Sequence, residues 1–105
     1  MTAQAGAVRA VLTMIVPATA TAEFESEWRR VAEWVRKQPG CLRQTLSRND
    51  EQDVRYVITS DWTDSRTYAL FEHSQRQADQ TAGLRRLRTS VAMDVLTIID
   101  HKEIP

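Results

Sequence analysis

Apolar positions along the chain switch between short β-branched runs and helical stripes, and the order of these blocks sets the architecture. The run VRAVLTMIV (8–16), stopped by Pro17, reads as a buried strand. In the stretch after it, Phe24, Trp28, Val31 and Val35 fall at i, i+4, i+7 and i+11, the stripe of an amphipathic helix. Thr19 or Thr21 is placed to cap that helix, with Glu23 and Glu25 in its positive first turn and Arg36 and Lys37 in its negative last turn. Pro39-Gly40 ends it. CLRQTLSR (41–48) alternates loosely, NDEQD (49–53) is a turn, and VRYVITSDW (54–62) is a second β-branched run, so these make a hairpin. A helical region follows from about Asp64 to Arg88. It is interrupted near HSQRQADQ, because Tyr68, Leu70 and Phe71 do not continue in register into Leu84 and Leu87. SVAMDVLTIID (90–100) closes the chain with a strand whose Val91, Met93, Val95, Thr97 and Ile99 share one face.

The order is β-α-β-β-α-β, which predicts an α+β, ferredoxin-like domain with an antiparallel sheet. At 105 residues the chain is expected to be a single domain, 1–105, with its core over about 8–100. Two helices cover only one face of such a sheet. Yet the first strand carries Val8, Ala10, Leu12, Met14 and Val16 on one side and Val11 and Ile15 on the other. A sheet with one face in water alternates more cleanly, so the second face is expected to meet another copy of the chain in a symmetric homodimer.

Composition narrows the partners. Fourteen basic residues balance fourteen acidic ones, which removes the positive field of a nucleic-acid binder. The single cysteine, Cys41, excludes an internal disulfide framework and a Cys-rich zinc site, and His73 and His101 lack metal-ligand spacing. MTAQAGAV has neither a basic stretch nor an apolar core, so it does not read as a signal peptide. No apolar run approaches the ~20 residues that span a bilayer. A soluble cytoplasmic protein without membrane contact is the expectation.

Three features together carry a family resemblance: QPGCL between first helix and second strand, a third strand ending in SDWTD, and a helix with an aromatic and histidine cluster running straight on from it. On these, over roughly residues 8 to 100, the chain resembles the antibiotic biosynthesis monooxygenase family of dimeric α/β barrels. The resemblance implies a homodimer with a cavity between helices and sheet in each subunit. It also implies an enzyme that oxidises anthrone- or phenol-type aromatic polyketide intermediates with O2, using no metal, flavin or other cofactor. Such chemistry is self-sufficient because the deprotonated substrate is its own reductant. The protein need only supply an apolar pocket, a proton acceptor and donors for the developing oxyanion.

Carried onto this chain, the resemblance assigns Trp62 to the cavity wall, with its indole N–H able to reach a substrate oxygen; otherwise it is a core tryptophan bridging strand and helix. The polyketide-oxidising branch has an asparagine four residues earlier, where this chain has Ile58. Alternation puts Ser60 on the face of Trp62, and so makes it the polar substitute. GLRRLR (83–88) maps the family arginine onto Arg85, which would pair with a phenolate or else belong to a solvated helix face. His73, the one neutral-range base in the central motif, is the candidate proton acceptor, although the usual histidine slot falls nearer Phe71. Trp28 and Phe71 are placed on the substrate wall and Met14 on its floor. Trp34 lies off the helix stripe as a subunit contact. Asp61 and Asp64 are structural, and His101 a surface residue.

Two other activities fit the same fold: a polyketide cyclase, needing acid–base groups but no oxygen, and an aromatic-ligand-binding dimer without turnover. Haem degradation in this superfamily uses a first-strand asparagine, which VRAVLTMIV does not contain.

Overall fold

Every β-branched run becomes a strand in the computed structural model, which describes residues 6–50 and 54–105. Strands β1 (Val8–Val16), β2 (Cys41–Asn49), β3 (Val54–Trp62) and β4 (Ser90–Thr97) form one sheet in the order β2-β3-β1-β4. All three pairings are antiparallel, so the fold is the expected α+β, ferredoxin-like one. Residues 51–53 of the NDEQD turn, and the first five of MTAQAGAV, lie outside the described residues. The last strand stops at Thr97 rather than Asp100. Beyond it the Ile98 amide bonds the Ala7 carbonyl, and the chain continues until His101 meets Arg43 on the opposite edge strand, Nε2 to Nη1 at 3.0 Å. His101 is therefore a half-buried tether rather than a plain surface residue.

Helix α1 (Thr21–Val35) buries Phe24, Val31 and Val35, three of the four stripe residues, and Phe24 stacks on Tyr56 of β3 with ring centroids 4.6 Å apart. Neither threonine caps it. A 3-10 turn (Ala18–Ala20) feeds the helix, Ala20 sits at the cap position with no side-chain bond, and the Thr21 hydroxyl turns back to the Ala18 carbonyl. The helical region after β3 is three pieces: α2 (Ser65–Glu72), α3 (Gln75–Gln80) and α4 (Ala82–Leu87). Ser74 causes the first break by accepting a bond from the Gln77 amide, a new N-cap in mid-sequence. Asp64 caps α2 by accepting from the Thr67 amide at 2.7 Å.

The two motifs of the resemblance meet in space. Gly40, with φ of +84°, turns the chain from α1 into β2, and its carbonyl accepts a bond from the Thr63 amide at the end of β3. A Cβ there would run into the Thr67 side chain and come within 2.9 Å of the Thr63 hydroxyl. The Pro-Gly turn thus pins β2 to the β3–α2 junction. On the face away from the helices Asp61 is fully buried, held by Arg9 in a two-toothed pair at 2.7 and 2.9 Å and by Arg43 at 3.3 Å.

Candidate functional site

Between the helices and the inner face of the sheet lies a chamber of about 120 Å³. The sheet supplies Leu12, Ile58, Ser60, Trp62 and Met93; α1 supplies Trp28, Val31 and Val35; and α2 supplies Tyr68, Phe71 and Glu72. Leu84 of α4 closes the far side. The side chains reach one space because strand alternation turns 58, 60 and 62 inward together, and helix spacing does the same for 28, 31 and 35. A second cavity of about 290 Å³ shares Leu12, Gln77, Thr81, Leu84 and Met93 with the first, and adds Met14, Arg85, Arg88 and Val91. It forms the vestibule.

Trp62 is fully buried, its ring 4.5 Å from Phe71 and 5.5 Å from Tyr68. Its Nε1–H donates to the Ser60 hydroxyl at 2.9 Å. The expected indole donor is therefore already used inside the protein, and of this bonded pair the Ser60 hydroxyl is the polar group left to the chamber, alongside Gln44, Glu72, Gln77 and Thr81 on its wall. Trp28 and Phe71 stand on the chamber wall, Met14 on the vestibule floor. Arg85 also stands at the vestibule, tied to the Thr81 hydroxyl and to the Ala78 carbonyl at 2.6 Å.

His73 is not in the chamber. Its side chain is 77% exposed, and its Nε2 approaches Glu72 Oε1 at 3.6 Å on the outer side. The reason is helical geometry: Tyr68, Phe71 and Glu72 stand at i, i+3 and i+4 on one face, and the next residue is turned about 100° further round. Trp34, off the core stripe of α1, packs its ring on Phe71 of the same chain with centroids 5.7 Å apart. Glu72 gives no signal by residue type beside the imidazole of His73, and its place on the chamber wall follows only from helical phase. Stepping i, i+3, i+4 from Tyr68 finds it.

Burial, reinforced by the adjoining Glu72 carboxylate, pushes the Tyr68 phenol well above the usual tyrosine range. Its hydroxyl points to Met93 Sδ at 3.6 Å. Burial also pushes the Cys41 thiol up, leaving it a poor nucleophile. Arg88, half-buried in the vestibule, makes no side-chain hydrogen bond or ion pair among the described residues, and burial and the nearby Arg85 lower its pKa. No group of three or more His, Cys, Asp or Glu side chains is gathered to hold a metal ion among the described residues. Nor is any of their helices long and apolar enough to cross a membrane.

Comparison with known proteins places this geometry. The family model for antibiotic biosynthesis monooxygenase matches residues 7–82. The chain is 36% identical over 69 residues to deoxynogalonate monooxygenase of Streptomyces nogalater, a match covering 66% of this chain and 58% of that longer relative. The fold superposes on SnoaB, a cofactor-independent oxygenase from Streptomyces nogalater, in the structure of an asparagine-to-alanine variant. The TM-score is 0.82 at 30% identity, covering 96% of this chain and 99% of that one. A conserved protein from Methanosarcina mazei, 16% identical with a TM-score of 0.79 over 89% of this chain and 93% of its own, shares the fold alone.

Proposed function

The chain belongs to the antibiotic biosynthesis monooxygenase family, and from that premise we propose that it oxidises an aromatic, anthrone- or phenol-type polyketide intermediate with O2 and without a cofactor. The observation that carries the reading is the aromatic chamber closing on Trp62, in a fold that superposes on a cofactor-independent oxygenase over 96% of its length. A planar substrate is gripped by Trp28, Phe71 and Trp62 and surrounded by apolar side chains. Loss of a proton leaves it electron-rich enough to reduce O2, so the protein's task is binding, desolvation and charge placement.

Size supports a substrate lying across both spaces. Small-molecule pockets commonly run to about 300–1,000 Å³, which the 120 Å³ chamber does not reach and the adjoining 290 Å³ vestibule helps to supply. Inside, the Ser60 hydroxyl accepts from Trp62 and keeps its own proton to donate to a substrate oxygen. At the mouth, Arg85 and Arg88 have no carboxylate partner among the described residues and favour an anionic group on the substrate. The working unit is a homodimer, in which the sheet face away from the helices packs on a second copy.

A cyclase is the second reading, favoured by Ile58. It stands on the chamber wall where the oxygenating branch has an amide, and an alkyl side chain cannot bind an oxygen intermediate. Oxygen-electrode traces with anthrone and metal-free protein separate the two. Uptake above the uncatalysed rate is expected, and its absence overturns the oxygenase reading. Cyclised product from a linear polyketide analogue under argon supports the cyclase instead.

A further inference from the structure

Glu72 is the one charged side chain on the chamber wall among the described residues. It ends α2, one turn beyond Tyr68, so its carboxylate shares the inward face with Tyr68 and Phe71. The side chain is 26% exposed, and outside it His73 Nε2 stands 3.6 Å from Oε1 with its own side chain 77% exposed. The carboxylate therefore stands between the aromatic chamber and an imidazole in open water, within one bridging water of the latter. No other group on the chamber wall is suited to accept a proton. Ser60 already accepts from Trp62, Gln44 donates to the Ala32 carbonyl at 3.0 Å, and the Tyr68 phenol stays protonated.

We propose that Glu72 is the general base that removes the acidic proton of the bound aromatic substrate, and that His73 relays this proton to water. The inference rests on the aromatic-substrate reading above. In the step, the substrate C–H or O–H bond breaks, its electron pair stays on the delocalised ring system, and the proton moves to a Glu72 carboxylate oxygen. The carboxylic acid then passes it through one water across the 3.6 Å gap to His73 Nε2, and the imidazolium loses it to solvent. Nothing is oxidised or reduced until O2 arrives, so this half of the reaction runs without oxygen.

That separation supplies the test. Anthrone is incubated under argon in deuterated buffer with the whole protein, and washout of its methylene protons is followed by NMR; oxygen uptake is measured in parallel in air. The wild type accelerates washout, and Glu72→Gln loses about 100-fold of it, the usual worth of a positioned base, with KM little changed. Formate restores washout to Glu72→Ala, which a purely structural role would not permit. His73→Gln keeps the first turnover but slows later ones, and added imidazole restores them. Washout by Glu72→Gln at the wild-type rate overturns the proposal, as does failure of formate to rescue the alanine variant. Wild-type washout without oxygen uptake leaves Glu72 as base and overturns the oxygenase reading alone. No acceleration of washout by the wild type overturns the base.

Discussion

Trp62 and Ser60 stand two residues apart on β3 and bond to each other, so the pair acts as one unit in the chamber wall. A fully buried indole N–H that loses its acceptor bears a desolvation penalty of about 1–3 kcal/mol. Ser60→Ala is therefore expected to lower stability by about that amount in urea titration, more than removal of an exposed hydroxyl would. The same alternation that made Ser60 and Trp62 legible as neighbours could not reveal the bond, which depends on side-chain rotamers. His73 and Glu72 show the opposite limit. They are adjacent in sequence, but helical rotation sends one into water and the other to the chamber. Residue type alone points to the imidazole, and only the helical phase shows which of the two side chains faces the chamber.

Among the elements, the turn at Gly40 has the largest reach for its size. A side chain there meets both a disfavoured positive φ and the Thr67 and Thr63 side chains. Gly40→Ala is expected to cost about 1 kcal/mol or more, measurable as a lowered midpoint in thermal unfolding. Because the Gly40 carbonyl holds the start of α2 through Thr63, weaker substrate binding should accompany the loss. Strands β1 and β3 were readable to the residue, since β-branched runs ended by proline or by a capping acid leave little choice. The entry to α1 was not. A 3-10 turn satisfies the first amides by backbone geometry, for which no side-chain signal exists. The split of the second helical region was visible as a loss of register, and the Ser74 cap supplies its cause.

At the scale of the whole molecule, the helices leave one face of the sheet to its own devices. Val11, Thr13 and Ile15 of β1 and Val57 of β3 are half-buried there, and Leu96 of β4 is 51% exposed. Apolar residues on both faces of the central strand were legible from the sequence, and they are the ground on which a second copy is proposed to pack on this face. Sedimentation equilibrium at micromolar concentration is expected to give about twice the chain mass. Val11→Asp, which places a carboxylate opposite Asp94 in the register, should give the single-chain mass; a monomeric wild type would refute the dimer.

The roof of the chamber is built from α2, α3 and α4, of eight, six and six residues. Helices below about 12–15 residues are marginal in water, so α2 and α4 hold their turns by burying Tyr68 and Leu84, which also line the chamber. Helix α3, with no buried residue, is held by its Ser74 cap and the Gln75–Asp79 bond. Helix order and ligand occupancy are then one free energy seen from two ends. A ligand that touches Tyr68 and Leu84 only in the wound helices would stabilise those helices, and by linkage a change that stabilises them would raise its affinity by the same factor.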